Sequence, residues 1–203
     1  AKQSQQLIRQ SALLMNFGML AIHQQHYDQA LAYSLESLQL AQQLHQRYRI
    51  SSVSQNLGII YRLLGQLEQA QYYLDESLLL AQEIQNLWLI AETQGEYGWL
   101  LLDQKQPSEA QEMFERMLTG AQHIQAPELI ARAFFGLAQG AAQQHNWELA
   151  RSLAQESLER YTQLGNAQRD QVSQWLTTLT ASLLEMEIEE RLPSVVLQKK
   201  EEN

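Results

Sequence analysis

Five histidines and one run of carboxylates are the residues of this chain that invite chemistry, and their spacing allows little of it. His23 and His26 stand three apart, close enough for two imidazoles to reach one metal ion. They straddle the end of a helical pattern, however, and neither a cysteine nor a pair of carboxylates stands nearby to complete a ligand set. His45, His123 and His145 read as turn or surface residues. Glu185, Glu187, Glu189 and Glu190 offer charge to a cation or a basic partner, although a charge run that ends a helix is ordinarily solvated. Nucleophilic catalysis needs a side chain poised beside a base, and phosphate chemistry needs a glycine-rich loop opening a helix. The sequence has no nucleophile elbow, no Ser-His-Asp order and no phosphate loop. The expectation is a binding protein, not an enzyme, with no cofactor and no metal.

Binding residues need elements to position them, and those elements recur at one fixed interval, the distance from Ala30 to Ala70. Tyr27-Asp28-Gln29-Ala30, Leu67-Glu68-Gln69-Ala70, Pro107-Ser108-Glu109-Ala110 and Trp147-Glu148-Leu149-Ala150 each read as the start of a helix after a short turn. Further along each of these helices, in the same register, comes the same apolar residue: Leu38, Leu78, Leu118 and Leu158. Leu44, Ile84, Ile124 and Leu164 continue that inward face. Before each turn runs another helix with a small residue at a fixed place, Gly18, Gly58, Gly98 or Ala138. Glycine inside a helix costs about 1 kcal/mol against alanine, so three in register call for a close helix crossing. The connections are short enough to demand antiparallel neighbours. Self-similarity at this period marks an array in which each unit buries its apolar face against the next.

The composition agrees. Leu, Ala, Gln and Glu dominate the 203 residues, with only three prolines and nine glycines, so helix is favoured nearly throughout. A formal charge of -9, with no stripe of Lys and Arg, opposes nucleic acid as a partner. No apolar run approaches the roughly 20 residues that span a bilayer, and no charged-then-apolar leader opens the chain. No membrane contact and a cytoplasmic location are expected, in keeping with the absence of cysteine. The chain opens on Ala1 and not Met, which reads as a segment of a longer protein.

At these residues the chain resembles the tetratricopeptide repeat family. The small residue in the middle of each first helix matches, as do the apolar residue before it (Phe17, Leu57, Tyr97, Leu137), the alanine opening each second helix, and Tyr61 three residues after Gly58. The period, read from Gly58 to Gly98, is longer than the roughly 34 residues usual for the family, and the family's proline near the end of the second helix is missing. The longer unit is similar to extended repeats of bacterial regulators, including sensor arms of signal-transduction ATPases and peptide-sensing regulators. The resemblance implies an all-α, right-handed α-solenoid of antiparallel helix hairpins over residues 1–190. Repeats are expected at about 7–46, 47–86, 87–126 and 127–166, then a capping helix at 167–190 and a tail at 191–203.

It also implies where a ligand would lie. In the family the first helices line a concave groove, at positions that here read Ala12, Met15, Met19, Ile22; Ser52, Gln55, Ile59, Arg62; Glu92, Gly95, Trp99, Leu102; and Arg132, Phe135, Gln139, Ala142. Asn16, Asn56 and Glu96 lie beside them. The Lys and Asn set with which some members clamp a terminal carboxylate is missing. The candidate protein- or peptide-binding residues are Gln55, Asn56, Arg62, Glu92, Glu96, Trp99, Arg132, Phe135 and Gln139. In this role the aromatics anchor side chains, the arginines meet carboxylates and Asn56 holds backbone. In the alternative, the aromatics pack between helices and the arginines are solvated or pair with Glu92 and Glu96.

The ends differ. Val172, Trp175, Leu176, Leu179, Leu183 and Met186 share one face of the last helix, with Gln171, Gln174, Thr177, Thr178, Thr180 and Ser182 elsewhere, as a cap requires. The first helix, with Leu13, Leu14, Met15, Phe17, Met19, Leu20, Ala21 and Ile22, has almost no polar side. An upstream repeat, a second subunit or a bound apolar ligand would cover it, with Met15, Met19 and Ile22 as contact residues in a homo-oligomer or with a partner. Pro193 is expected to stop the last helix, leaving Leu192–Leu197 to dock as an extended segment or to fray.

Overall fold

The computed structural model describes residues 2–201, and side chains over residues 3–184. Nine helices form, with no strand among the described residues: α1 (Lys2–His23), α2 (Tyr27–Gln43), α3 (Arg47–Leu63), α4 (Leu67–Glu83), α5 (Leu87–Asp103), α6 (Pro107–His123), α7 (Pro127–Gln143), α8 (Trp147–Gln163) and α9 (Gln168–Glu201). They pair as four hairpins followed by a single helix, the all-α repeat solenoid expected from the period of the sequence. Each odd-numbered helix up to α7 also touches the next odd-numbered one, while the even-numbered helices make no comparable contact with each other. The odd row therefore lies on the inside of the curve. No described helix is long and apolar enough to cross a membrane.

The regularity comes from one turn used eight times. Gln25, His45, Gly65, Gln85, Lys105, Gln125, His145 and Gly165 all have φ between 52° and 73°, the left-handed conformation that ends a helix. At each end two backbone bonds close the turn; at the third, Gly65 N–H donates to Arg62 O at 2.9 Å and Gln66 N–H to Tyr61 O at 2.8 Å. The same turn thus falls twice in every repeat, and glycine fills it only at Gly65 and Gly165. Two of the histidines are explained here, His45 and His145 being turn residues. Among the described residues no group of three metal-ligating side chains converges.

Within the hairpins the small residues act as the spacing suggested. Ala30, Ala70, Ala110 and Ala150 are wholly buried. A Cβ on Gly58 would sit 2.6 Å from the Leu74 side chain, one on Gly98 2.6 Å from the Phe114 ring, and one on Gly18 2.7 Å from Ser34 Oγ. At Gly58 and Gly98 the second helix presses into space that a Cβ would fill, whereas the fourth hairpin accommodates Ala138 at the same place. Buried hydroxyls fasten three of the crossings: Ser37 Oγ donates to Ser11 O at 2.8 Å, Ser51 Oγ to Ser77 O at 2.7 Å and Ser157 Oγ to Ala131 O at 2.8 Å.

Two expectations need correction. Leu164, placed on the inward face, is 39% exposed, because it closes the last hairpin and has a single helix beyond it. Helix α9 continues past Pro193 to Glu201 and does not stop there. Proline withdraws one backbone donor and leaves the others, and the flanking Leu, Gln, Lys and Glu residues are strong helix formers. Met186, the acidic run Glu185–Glu190 and the apolar stretch Leu192–Leu197 have side chains outside the described residues. Those of the cap that are described behave as expected: Val172 and Leu179 are buried, while Gln171, Gln174, Thr177, Thr178, Thr180 and Ser182 are exposed.

Candidate functional site

The inner face is richest between α5, α7 and α9, where Trp99 is the centre. Its indole Nε1 donates to Gln139 Oε1 at 2.9 Å, which ties α5 to α7. The Arg132 guanidinium lies 4.7 Å from its ring centroid, a cation–π distance, and Phe114 meets it edge-on at 5.0 Å. Arg132 also forms an ion pair and hydrogen bond with Glu96, which is only 2% exposed. Glu92 sits one turn before Glu96 on the same face. Burial pushes the Glu92 carboxyl above its ordinary range; Arg132 works against that shift and Glu96 adds to it. Burial alone would favour a neutral Arg132, but Glu96 and Glu92 outweigh it and keep the guanidinium charged.

A second bridge runs from α3 to α5, where Arg62 Nη1 meets Asp103 Oδ2 at 3.0 Å. Arg62 Nε is buried without a partner. Both arginines of the groove are therefore engaged within the protein. Three carboxylates, Glu92, Glu96 and Asp103, face two guanidiniums, and the unmatched charge belongs to Glu92. Arg132 thus pairs with Glu96 as the alternative reading of the sequence had it, while Arg62 finds Asp103 and neither Glu92 nor Glu96.

Beside Trp99 opens a cavity of about 310 Å³ lined by Trp99, Leu102, Asp103, Gln139, Ala142, Gln143 and Trp175. Gln143 Nε2 donates across to Leu102 O at 3.2 Å. Gln139 and Gln143 lie one helical turn apart, so both amides are presented on one side of α7. A larger, open hollow of about 580 Å³ lies by Tyr97, Gln104 and Met113, where no expected site residue sits. There Tyr97 Oη donates to Asp75 at 3.0 Å, and burial together with that carboxylate pushes the phenol up to about 12.

Of the nine candidates, Trp99, Gln139, Arg132, Glu92 and Glu96 come together, and Arg62 joins them through Asp103. Gln55 and Asn56 are buried, at 6% and 5% exposure, on the neighbouring α3. Phe135 is also buried, packed edge-on against Trp175 at 5.6 Å, and belongs to the core with Ala138, Ala154, Tyr161 and Val172. At the first helix Met15 and Ile22 are half-buried and Met19 is 41% exposed. Asp103, Gln143 and Trp175 escaped the sequence reading. Asp103 and Gln143 stand one residue past the last groove position of their helices, so following the face to the helix end would have found them. Trp175 had been assigned to the apolar side of the cap, which gives no sign of a pocket edge.

The tetratricopeptide repeat profile matches residues 9–83 and 50–123, together more than half of the chain. The chain belongs to the tetratricopeptide repeat family. No curated protein matches it. Among solved structures, a Rap protein complexed with competence and sporulation factor is similar at a TM-score of 0.81 and 12% identity, over 88% of this chain and 50% of that one. Aspartyl phosphate phosphatase F from Bacillus subtilis follows at 0.74 and 14%, over 93% and 50%. BtubC (BKLC) from P. vanneervenii reaches 0.64 and 17%, over 76% and 64%. At such identities the likeness establishes the fold, and the chain spans only about half to two thirds of these relatives' length. The repeat family is an interaction fold, so the array is a protein-interaction scaffold.

Proposed function

We propose that the concave face binds a protein or peptide segment through the cavity between Trp99 and Trp175, and that the array is the sensing or interaction part of a larger bacterial regulator. The observation that carries the reading is that cavity, with two tryptophans for walls and two glutamines at its edge. Trp99 engages the oxygen of Gln139 and Leu102 the nitrogen of Gln143. The opposite ends of those amides, one donor and one acceptor, suit the backbone of an extended segment. The cavity takes an apolar or aromatic side chain of that segment, and Glu92 a basic one. A regulator context is supported by the Rap-like relatives, one of which is complexed with competence and sporulation factor. The reading assigns no catalytic step to this chain and places it in the cytoplasm.

Substituting Arg132 would be a poor test, because it would unbalance buried Glu96 before it touched a ligand. Ala142→Trp fills the cavity and leaves every ion pair in place. Peptides selected from a displayed random library against the wild-type chain should be rich in basic residues and lose at least about tenfold in affinity for the filled variant, or about 1.4 kcal/mol. Equal affinity for both, with circular dichroism unchanged, would move the binding site away from this cavity.

A further inference from the structure

Tyr97 and Trp99 stand two residues apart on α5 and so leave it on opposite sides, which places the hollow of about 580 Å³ behind the groove, where the second hairpin meets the third. Leu101, Met113 and the half-buried Tyr97 line it, and the bond from the Tyr97 hydroxyl to Asp75 holds that ring in place. Glu109 and Glu112, both exposed on α6, line it too, with the amides of Gln71 and Gln106. One repeat earlier the places of Leu101 and Met113 hold Tyr61 and Tyr73, whose rings stack face to face at 5.3 Å and fill the corresponding space. The third hairpin lacks both rings. Its carboxylates are equally particular to it: Glu109 and Glu112 stand where the earlier junction has Gln69 and Tyr72 and the later one Leu149 and Ser152. Opening and negative charge coincide at this junction.

We propose that this hollow is a second binding site, which takes an arginine side chain from the surface of a protein partner. Charge selects a cation. No described Lys or Arg lines the hollow, and Glu109 has no ion pair among the described residues. Glu112 meets only Arg116 of its own helix, at 3.9 Å and with both side chains more than half exposed, a pair of little worth. The lining selects a guanidinium on a hydrocarbon stem: Leu101 and Met113 suit the methylenes, the Tyr97 ring suits the planar head, and carboxylates and amide oxygens accept its fork of donors. Openness selects a tethered ligand. A pocket for a free small molecule encloses most of it, and a hollow open to solvent cannot, so the hold on its occupant must continue onto the surface that carries the side chain. Since the hollow lies behind α5, it can be filled while the groove is occupied.

Methionine-methyl NMR on the full chain reads the hollow directly through Met113, with Met15 and Met19 of α1 as distant references. The probe is the capped peptide acetyl-Ala-Arg-Ala-amide, compared with the same peptide carrying citrulline, which keeps the shape and lacks the charge. The expected result is a saturable Met113 shift with the arginine probe, weakened at least about tenfold by citrulline and by Glu109→Gln with Glu112→Gln. Removing two exposed carboxylates of α8 instead, Glu148→Gln with Glu159→Gln, should change nothing, which separates the site from the net charge of the chain. Leu101→Tyr, which restores one ring of the earlier junction, should abolish the shift with circular dichroism unchanged. A response that survives loss of Glu109 and Glu112, or one that the α8 pair weakens equally, overturns the proposal. So does silence of the arginine probe, and spermidine saturating Met113 in its place would make the hollow a site for free amines. Ala142→Trp, which fills the groove cavity, should leave the Met113 response intact, so failure of this site and failure of the groove reading are distinguishable.

Discussion

The second and third hairpins share a backbone and solve its interior in opposite ways. Between α3 and α4 the crossing is polar: Ser51 bonds to Ser77 O, and Ser77 in turn lies 3.1 Å from Thr93 of the next hairpin. Between α5 and α6 the same two places hold Ala91 and Met117, and Met117 reaches the space above Gly95. Leu74 fills the notch at Gly58, whereas Phe114 is boxed between Gly98 and Gly136. The inner faces diverge too. Ser52 and Asn56 are neutral, while their counterparts Glu92 and Glu96 carry charge and need Arg132 from the fourth hairpin. A repeat prescribes where helices run, and it leaves each unit to choose how the crossing is filled and what the groove presents.

The sharpest way to break the comparison is to remove the charge partner that only the third hairpin requires. Arg132→Met strands Glu96 in the interior and should cost about 3–5 kcal/mol in urea unfolding, most of it recovered by adding Glu96→Gln. Arg62→Met, whose partner Asp103 is 45% exposed, should cost no more than about 1 kcal/mol. Next comes the ring box. A Cβ on Gly136 would lie 2.3 Å from Phe114, so Gly136→Ala should cost about 1–3 kcal/mol, and Phe114→Leu should relieve it. Gly18→Ala meets only the small Ser34 hydroxyl and should be close to neutral, its helix-propensity gain of up to about 1 kcal/mol offsetting the contact.

Smaller effects sharpen the difference. Ser77→Ala should cost about 1 kcal/mol, the worth of its buried hydrogen bonding. Glu92→Gln should stabilise the array at pH 7. The folded carboxyl holds its proton more tightly than the unfolded one, so its ionisation opposes folding as pH rises above about 4.5. The gain should fade as the pH falls through that value, which thermal unfolding at several pH values would read. Ser52→Ala, at the matching place, should show no such pH dependence.

Much of the scaffold was legible. The glycine row and the alanine quartet announced close crossings because a side chain there has no room, and that constraint falls on single positions. The turns were less so: the left-handed residue that ends each helix is glycine at Gly65 and Gly165 and something else six times. The hydrogen bonds that close the turn outweigh the strain of a side chain at positive φ, so composition does not reveal the position. The groove was legible as a set of places and not as a surface. Phe135 and Trp99 both stand at expected groove positions, yet one is core and the other lines a cavity.

Periodicity, helix type, the order of hairpins and the family were decided by the sequence itself, since each rests on spacing within a single repeat and on the sizes of side chains at repeated positions. The tertiary structure decided the chemistry of the inner face. Arg132 meets Glu96 across 36 residues, Trp99 meets Gln139 across 40 and Arg62 meets Asp103 across 41. Whether such pairs form depends on how far each first helix is rotated against the next, and that rotation is set by what fills the crossings beneath. A neutral groove, a basic one and this acidic one would all show the same rhythm of repeats.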